Sequence, residues 1–387
     1  MPTLLSPILL LLLSTRFVIS IGWSANFDHL GAWTGANLEA SPLFYKGRLY
    51  LMMSQMGEFS PGGAHSFFCV FDGLTGEKLT CPESSSGHAF CSAIVQPADS
   101  TASPARNETL WVFCSAWDRA NHTECQTPGW GCGACANPDG GCYVGSWSCS
   151  ADSVEECGDG WTFTHALTLP GKVTVPNVGV GLVPHQASAT GDLPQHQAFM
   201  ALESSFSLAI NVGNDGDLSS NWIFLDPATH TIDSVANAGL CPFARYNAVD
   251  GYYYVGGGGE HINLARSRNL SSGSWSAPSS GPIERGCTEL AEDCAVGSPV
   301  ARIASGFWEN YWTNGSDHGG RDFLQNLTAW DFSVNDADLT DNGTHTFFIY
   351  GQCAQTAPPG WKNKSGSFYQ VGLAEGNATT WLASFWP

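Results

Sequence analysis

The sequence predicts an all-β protein, a five-bladed β-propeller with a disulfide-rich loop insertion. Three observations predict it. Amphipathic helical periodicity is hard to find anywhere in the 387 residues. Short apolar or aromatic runs recur in pairs, often after Gly or a turn residue. Five such pairs are spread over the chain at intervals of roughly 50–90 residues, the spacing of repeated sheets.

In chain order, Arg48–Met52 pairs with Phe67–Phe71, and Leu110–Cys114 with Thr162–Ala166. Ala198–Leu202 pairs with Ser207–Ile210, Tyr252–Val255 with Ile262–Ala265, and Thr346–Tyr350 with Phe368–Val371. Two units share a tail: Asp217-Leu218 precedes Trp222, and Asn269-Leu270 precedes Trp275. A β-sandwich of similar strand count is the alternative, but the repeat is a hairpin rather than a lone strand. Residues 21–387 form one domain on this reading. Two stretches, 120–160 and 281–335, are read as loop insertions.

Residues 1–20 read as a secretory signal peptide. Leu4–Leu13 is an apolar run too short to span a bilayer, followed by Val18-Ile19-Ser20 as a cleavage site. The segment before it has no Lys or Arg, and Arg16 lies beyond the run, so a retained anchor is the alternative. Eight Asn-x-Ser/Thr sequons, at Asn107, Asn121, Asn269, Asn314, Asn326, Asn342, Asn363 and Asn377, suit a secreted glycoprotein. Fourteen cysteines suit an oxidising compartment. Six of them, Cys125, Cys132, Cys135, Cys142, Cys149 and Cys157, crowd a Gly- and Trp-rich stretch. Disulfides explain these better than zinc, because Cys132-x-x-Cys135 has no second ligand pair at metal spacing. Cys287 and Cys294 are near enough for a local bridge. The net charge of −20, with no Lys/Arg run, argues against nucleic acid and anionic membranes as partners. Eight glycans would leave little bare surface for a large partner, so a monomer is expected.

The units resemble those of the five-bladed propeller glycosidases, the glycoside hydrolase family 43-like superfamily of arabinanases and xylosidases, including its uncharacterised secreted members. Four phrases carry the resemblance, in the expected order. Glu39-Ala40-Ser41-Pro42-Leu43 with Lys46-Gly47-Arg48-Leu49-Tyr50 looks like the opening strand. Phe199-Met200-Ala201-Leu202-Glu203 looks like a later strand. Asp250-Gly251-Tyr252-Tyr253-Tyr254-Val255 with Ala265-Arg266-Ser267-Arg268-Asn269-Leu270 looks like a full blade. Asn335-Asp336-Ala337-Asp338-Leu339 looks like the last blade. The resemblance implies hydrolysis of a glycosidic bond in an oligo- or polysaccharide at the central pocket.

That chemistry needs two carboxyl groups across the scissile bond, one ionised and one holding a proton. A third carboxylate nearby raises the acid's pKa. The groups must sit where the inner strands converge. Glu39 takes the place of the family's base, normally Asp. Glu203 is the candidate acid and Asp338 the tuning carboxylate. Asp336, Arg245 and Glu260 are candidate substrate contacts. Cys241 stands where the family has a second Asp, which favours the alternative of a non-catalytic, lectin-like glycan binder. A third reading is a secreted structural module whose Cys-rich insertion binds protein. His65, His88 and His196 are read as ordinary β-surface or loop residues, with a place near the channel as the alternative, and Trp33, Trp117 and Trp308 are candidates for stacking on sugar faces. Acid–base hydrolysis needs no organic cofactor and no metal. Gly256–Gly259 lacks the spacing of a nucleotide-phosphate loop.

Overall fold

The computed structural model describes residues 36–60, 63–72, 77–100, 105–116, 143–169, 177–183, 193–202, 207–213, 216–226, 242–247, 250–257, 261–271, 273–278, 283–284, 327–334, 344–353, 368–377 and 386. Residues 1–20 lie outside these, as do Trp33, Trp117, Trp308, Cys287 and Cys294.

Five antiparallel sheets follow one another along the chain. The first comprises β1 (Ala36–Tyr45), β2 (Arg48–Ser60), β3 (Gly63–Asp72) and β4 (Lys78–Thr80). The second comprises β5 (His88–Gln96), β6 (Thr109–Ala116), β7 (Tyr143–Cys149) and β8 (Thr162–Thr168), with one helical turn, α1 (Val154–Cys157), before β8. The third comprises β9 (Val178–Leu182), β10 (Ala198–Leu202), β11 (Ser207–Asn211) and β12 (Trp222–Phe224). The fourth comprises β13 (Phe243–Asn247), β14 (Tyr252–Gly257), β15 (His261–Ser267) and β16 (Ile283–Glu284). The fifth comprises β17 (Leu327–Val334), β18 (Thr344–Cys353) and β19 (Phe368–Asn377). Each is an up-and-down meander whose strands pair in chain order, the pattern of propeller blades.

Local chemistry makes the turns. Tyr45 pairs with Arg48 across Lys46-Gly47, whose φ values of 50° and 72° are those of the two-residue turn that matches strand twist. In the Asp250-Gly251-Tyr252 phrase, the Asp250 carboxylate accepts the Tyr252 N–H at 3.0 Å and the Tyr254 hydroxyl at 2.6 Å. Gly251 supplies the positive φ, 72°.

Every predicted run is a strand, but two loop assignments are corrected. Within 120–160, Tyr143–Cys149 is β7, lying between β6 and β8. Leu110–Cys114 and Thr162–Ala166 are therefore not partners. Gly and Ser disguise β7 as a loop. Gly145 is small because a Cβ there would lie 2.8 Å from the Phe163 ring. Ser146 bonds the Thr164 hydroxyl at 2.8 Å across the ladder. Within 281–335, Ile283–Glu284 is β16 and Leu327–Val334 is β17.

β5 packs beside β1, β9 beside β5, β13 beside β9, and β17 beside β1. The apolar core lies in the clefts between successive sheets. Leu43, Met52, Phe68, Trp147 and Trp161 fill the first cleft. Phe113, Val180, Met200 and Trp222 fill the second. Phe199, Ile210, Tyr253 and Val255 fill the third. Disulfides Cys69–Cys81, Cys91–Cys114 and Cys149–Cys157 staple the first two sheets. Arg48 joins the same two sheets, with Asp72 at 2.6 Å and Glu155 at 2.7 Å. Both carboxylates favour its charged form and raise its pKa, although its exposure keeps the stabilisation small. Cys125, Cys132, Cys135 and Cys142 lie outside the described residues.

His196 and Tyr253 join the third and fourth sheets. The buried His196 donates through Nδ1 to the Pro194 carbonyl at 3.1 Å, which leaves Nε2 to accept from the Tyr253 hydroxyl at 3.1 Å. Burial disfavours the imidazolium and holds the His196 pKa below its usual 6.5. The unfolded chain therefore binds the proton more readily. This contribution to stability is complete above pH 6.5 and declines as pH falls below it toward the folded pKa. Denaturant midpoints measured from pH 7.5 to 5 are expected to fall more for the wild type than for His196→Gln. Parallel curves would show that His196 titrates alike in both states.

Candidate functional site

The site is built from the starting ends of the inner strands. At three junctions, paired ties show that neighbouring sheets run the same way. Between the first two sheets, the Ala93 N–H donates to Ser41 Oγ at 3.1 Å at mid-strand, while Tyr45 at the end of β1 donates to the Cys149 carbonyl at 3.3 Å. Between the second and third, the Val180 N–H donates to Ser92 Oγ at 3.1 Å, and Gln96 at the end of β5 donates to the Gly216 carbonyl at 2.8 Å. Between the third and fourth, Ala244 abuts Gly181 while His196 meets Tyr253 at the far ends. The starts of β1, β5, β9 and β13 therefore share one side of the molecule, here called the entry side.

The two serine bonds also fix a level. Ser41 and Ser92 are equivalent, as are their donors Ala93 and Val180. Counting back gives Glu39 on β1, Phe90 on β5 and Asn177 immediately before β9. At this level β1 and β5 each carry a bulge, between Leu38 and Ser41 and between Ala89 and Ser92. In each, three steps on the inner strand match two on its partner. Bulges re-aim side chains and are common beside active sites. The Cys91–Cys114 disulfide closes the bulge on β5.

The predicted carboxylates fall as follows. Glu39 sits on the β1 bulge. Glu203 lies outside the described residues but directly follows Leu202, which pairs with Val178 at the start of β9. Glu260 also lies outside them and directly precedes His261, first residue of β15. Asp336 and Asp338 lie outside the described residues too. Their expected place at the opening of the last inner strand is corrected: β17 precedes them, and they fall between β17 and β18. Cys241, just before Pro242, is likewise outside.

Arg245 is described and buried. Its Nη1 donates to the Ala244 carbonyl at 2.9 Å and to the Val180 carbonyl, tying β13 to β9. β9 makes room through Gly181, where a Cβ would lie 2.6 Å from the Ala244 carbonyl oxygen. These contacts are the structural use of the guanidinium.

His88 and His196 serve the sheets. His88 contacts the Ser86 carbonyl through Nδ1 at 3.2 Å and the Tyr143 hydroxyl through Nε2 at 2.9 Å, on the entry side of the second sheet. Tyr143 in turn stacks on His165, with ring centres 4.1 Å apart. His196 holds the opposite side, away from Glu39. His65 pairs with Gly57 within the first sheet. Sequence reasoning missed the equivalence of Ser41 and Ser92, which only their bonds to the N–H groups of Ala93 and Val180 reveal.

No family model and no curated protein matches the sequence. Solved structures similar to this chain include the α-L-arabinofuranosidase PaAbf62A from Podospora anserina in complex with cellotriose. It is 9% identical over 92% of this chain and 94% of that one, with a TM-score of 0.46. A family 117 glycoside hydrolase from Zobellia galactanivorans is 9% identical over 92% and 87%, with a TM-score of 0.45. A GH43_1 enzyme from Xanthomonas citri is 10% identical over 92% and 91%, with a TM-score of 0.38.

Proposed function

We propose that the protein is a secreted, glycosylated, monomeric glycoside hydrolase, its five sheets closed into a ring of blades around a saccharide pocket. Glu39 acts as the base and Glu203 as the acid. The observation that carries the reading is that Glu39 lies on the bulge of β1 at the entry side, while Glu203 enters from its sequence phrase. Asp338 as the carboxylate that raises the acid's pKa, and Asp336, Arg245 and Glu260 as substrate contacts, are carried over from the sequence reading. The base activates water while the acid protonates the leaving oxygen.

The test is turnover of aryl α-L-arabinofuranosides and aryl β-D-xylosides by the full secreted chain. Glu39→Gln and Glu203→Gln are each expected to lower kcat by about 10²–10⁴-fold with thermal stability kept. Each is also expected to remove one limb of the pH–rate profile. Cys241, in place of a family Asp, supports the second reading, a glycan binder without catalysis. Saccharide binding with no turnover by the wild type would establish that reading.

A further inference from the structure

We infer that Asn107 and Asn269 carry N-linked glycans, and that these two sugars project from the side of the molecule opposite the entry side. This rests on the secreted reading and adds to it where the sugars sit. Each residue opens a sequon, Asn107-Glu108-Thr109 and Asn269-Leu270-Ser271. Asn107 is exposed, two residues before the start of β6. β6 is antiparallel to β5, so it starts at the far end of β5. Asn269 is half-buried, two residues after the end of β15. β15 is antiparallel to β14, and β14 to β13, so β15 also ends away from the entry side.

Both side chains leave Nδ2 available. The Thr109 hydroxyl donates to the Asn107 main-chain carbonyl at 3.0 Å, and the Asn107 amide has no partner among the described residues. Asn269 Oδ1 accepts the Ser271 N–H at 2.9 Å, an Asx turn that uses only the oxygen. Leu270, 1% exposed in the third cleft, anchors this loop while its neighbour Asn269 stays half-exposed. Glycan transfer replaces one Nδ2 hydrogen. The Nδ2–C1 bond forms, the C1–O bond to a lipid pyrophosphate donor breaks, and the proton leaves with the pyrophosphate. The amide oxygen is untouched, so the turn at Asn269 survives.

The experiment is glycopeptide and intact-mass spectrometry on the full chain, expressed in a eukaryotic host with its own N-terminal residues, beside Asn107→Gln and Ser271→Ala. Ser271→Ala removes the sequon but keeps the turn, which uses only the Ser271 backbone. Each variant is expected to lose one glycan from the intact mass. If a variant fails to fold, occupancy of Asn107 and Asn269 in the wild type decides. Sugar at other sequons with Asn107 or Asn269 bare overturns the inference and leaves the secreted glycoprotein reading standing. A chain without sugar at any sequon overturns both. Hydroxyl-radical labelling of the folded wild type and the double variant tests the face. Tyr252, half-buried at the far-side start of β14, is expected to label more strongly once the two glycans are gone. Tyr143, half-buried at the entry-side start of β7, is expected to label equally in both. No change at Tyr252, or a rise at Tyr143, overturns the placement.

Discussion

Trp147→Ala is expected to lower stability by about 3–5 kcal/mol, the cost of emptying a buried tryptophan site. The residue is fully buried on β7. Its ring centre lies 4.8 Å from those of His88 and Phe163 and 5.5 Å from that of Phe68. Phe68 belongs to the first sheet, so the cavity would open between two sheets. Its indole N–H also donates to Ser84 Oγ at 3.2 Å, which fixes the turn leading into β5. Neighbours held by a disulfide on each side cannot collapse freely into the space. Denaturant unfolding with disulfides intact checks it, and Trp147→Phe is expected to cost clearly less. A loss below about 1 kcal/mol would mean that β7 does not hold the junction together.

Gly181→Ala is expected to cost about 2–3 kcal/mol, the upper part of the range for overpacking. The added methyl would lie 2.6 Å from the Ala244 carbonyl oxygen and 2.7 Å from the Phe199 ring. The first neighbour is backbone and cannot swing aside. Separating β9 from β13 would also stretch the Arg245 bond to the Val180 carbonyl. Gly47→Ala is the control, because a Cβ there meets nothing within 4 Å and only the φ of 72° is strained. Thermal unfolding that places Gly47→Ala at or below Gly181→Ala in melting temperature would refute close packing at this junction.

The sequence showed some strands plainly and hid others for physical reasons. The runs it revealed are mostly second and third strands, such as β10 and β11, which read as unbroken apolar segments because both faces are buried. Inner strands were harder. β9 reads Val-Gly-Val-Gly-Leu because it must let another backbone approach, and β5 is interrupted by its bulge. β7 was lost among cysteines and glycines. The site followed the same division. Glu39 was named from a strand phrase and lies on the bulge of β1, whereas the matching level of β1, β5 and β9 emerges only from the bonds of Ser41 and Ser92. Asp336 and Asp338 were misplaced because the residues before them looked like a loop, although Leu327–Val334 is β17.

The outermost described strands of three sheets are very short: three residues in β4, three in β12 and two in β16. An open sheet edge is a row of unsatisfied donors and acceptors on which a second chain can grow. Here each such edge offers only a few groups before the chain turns away. Longer strands are sheltered behind them, so the described outer edges of these three sheets expose little template for fibrils.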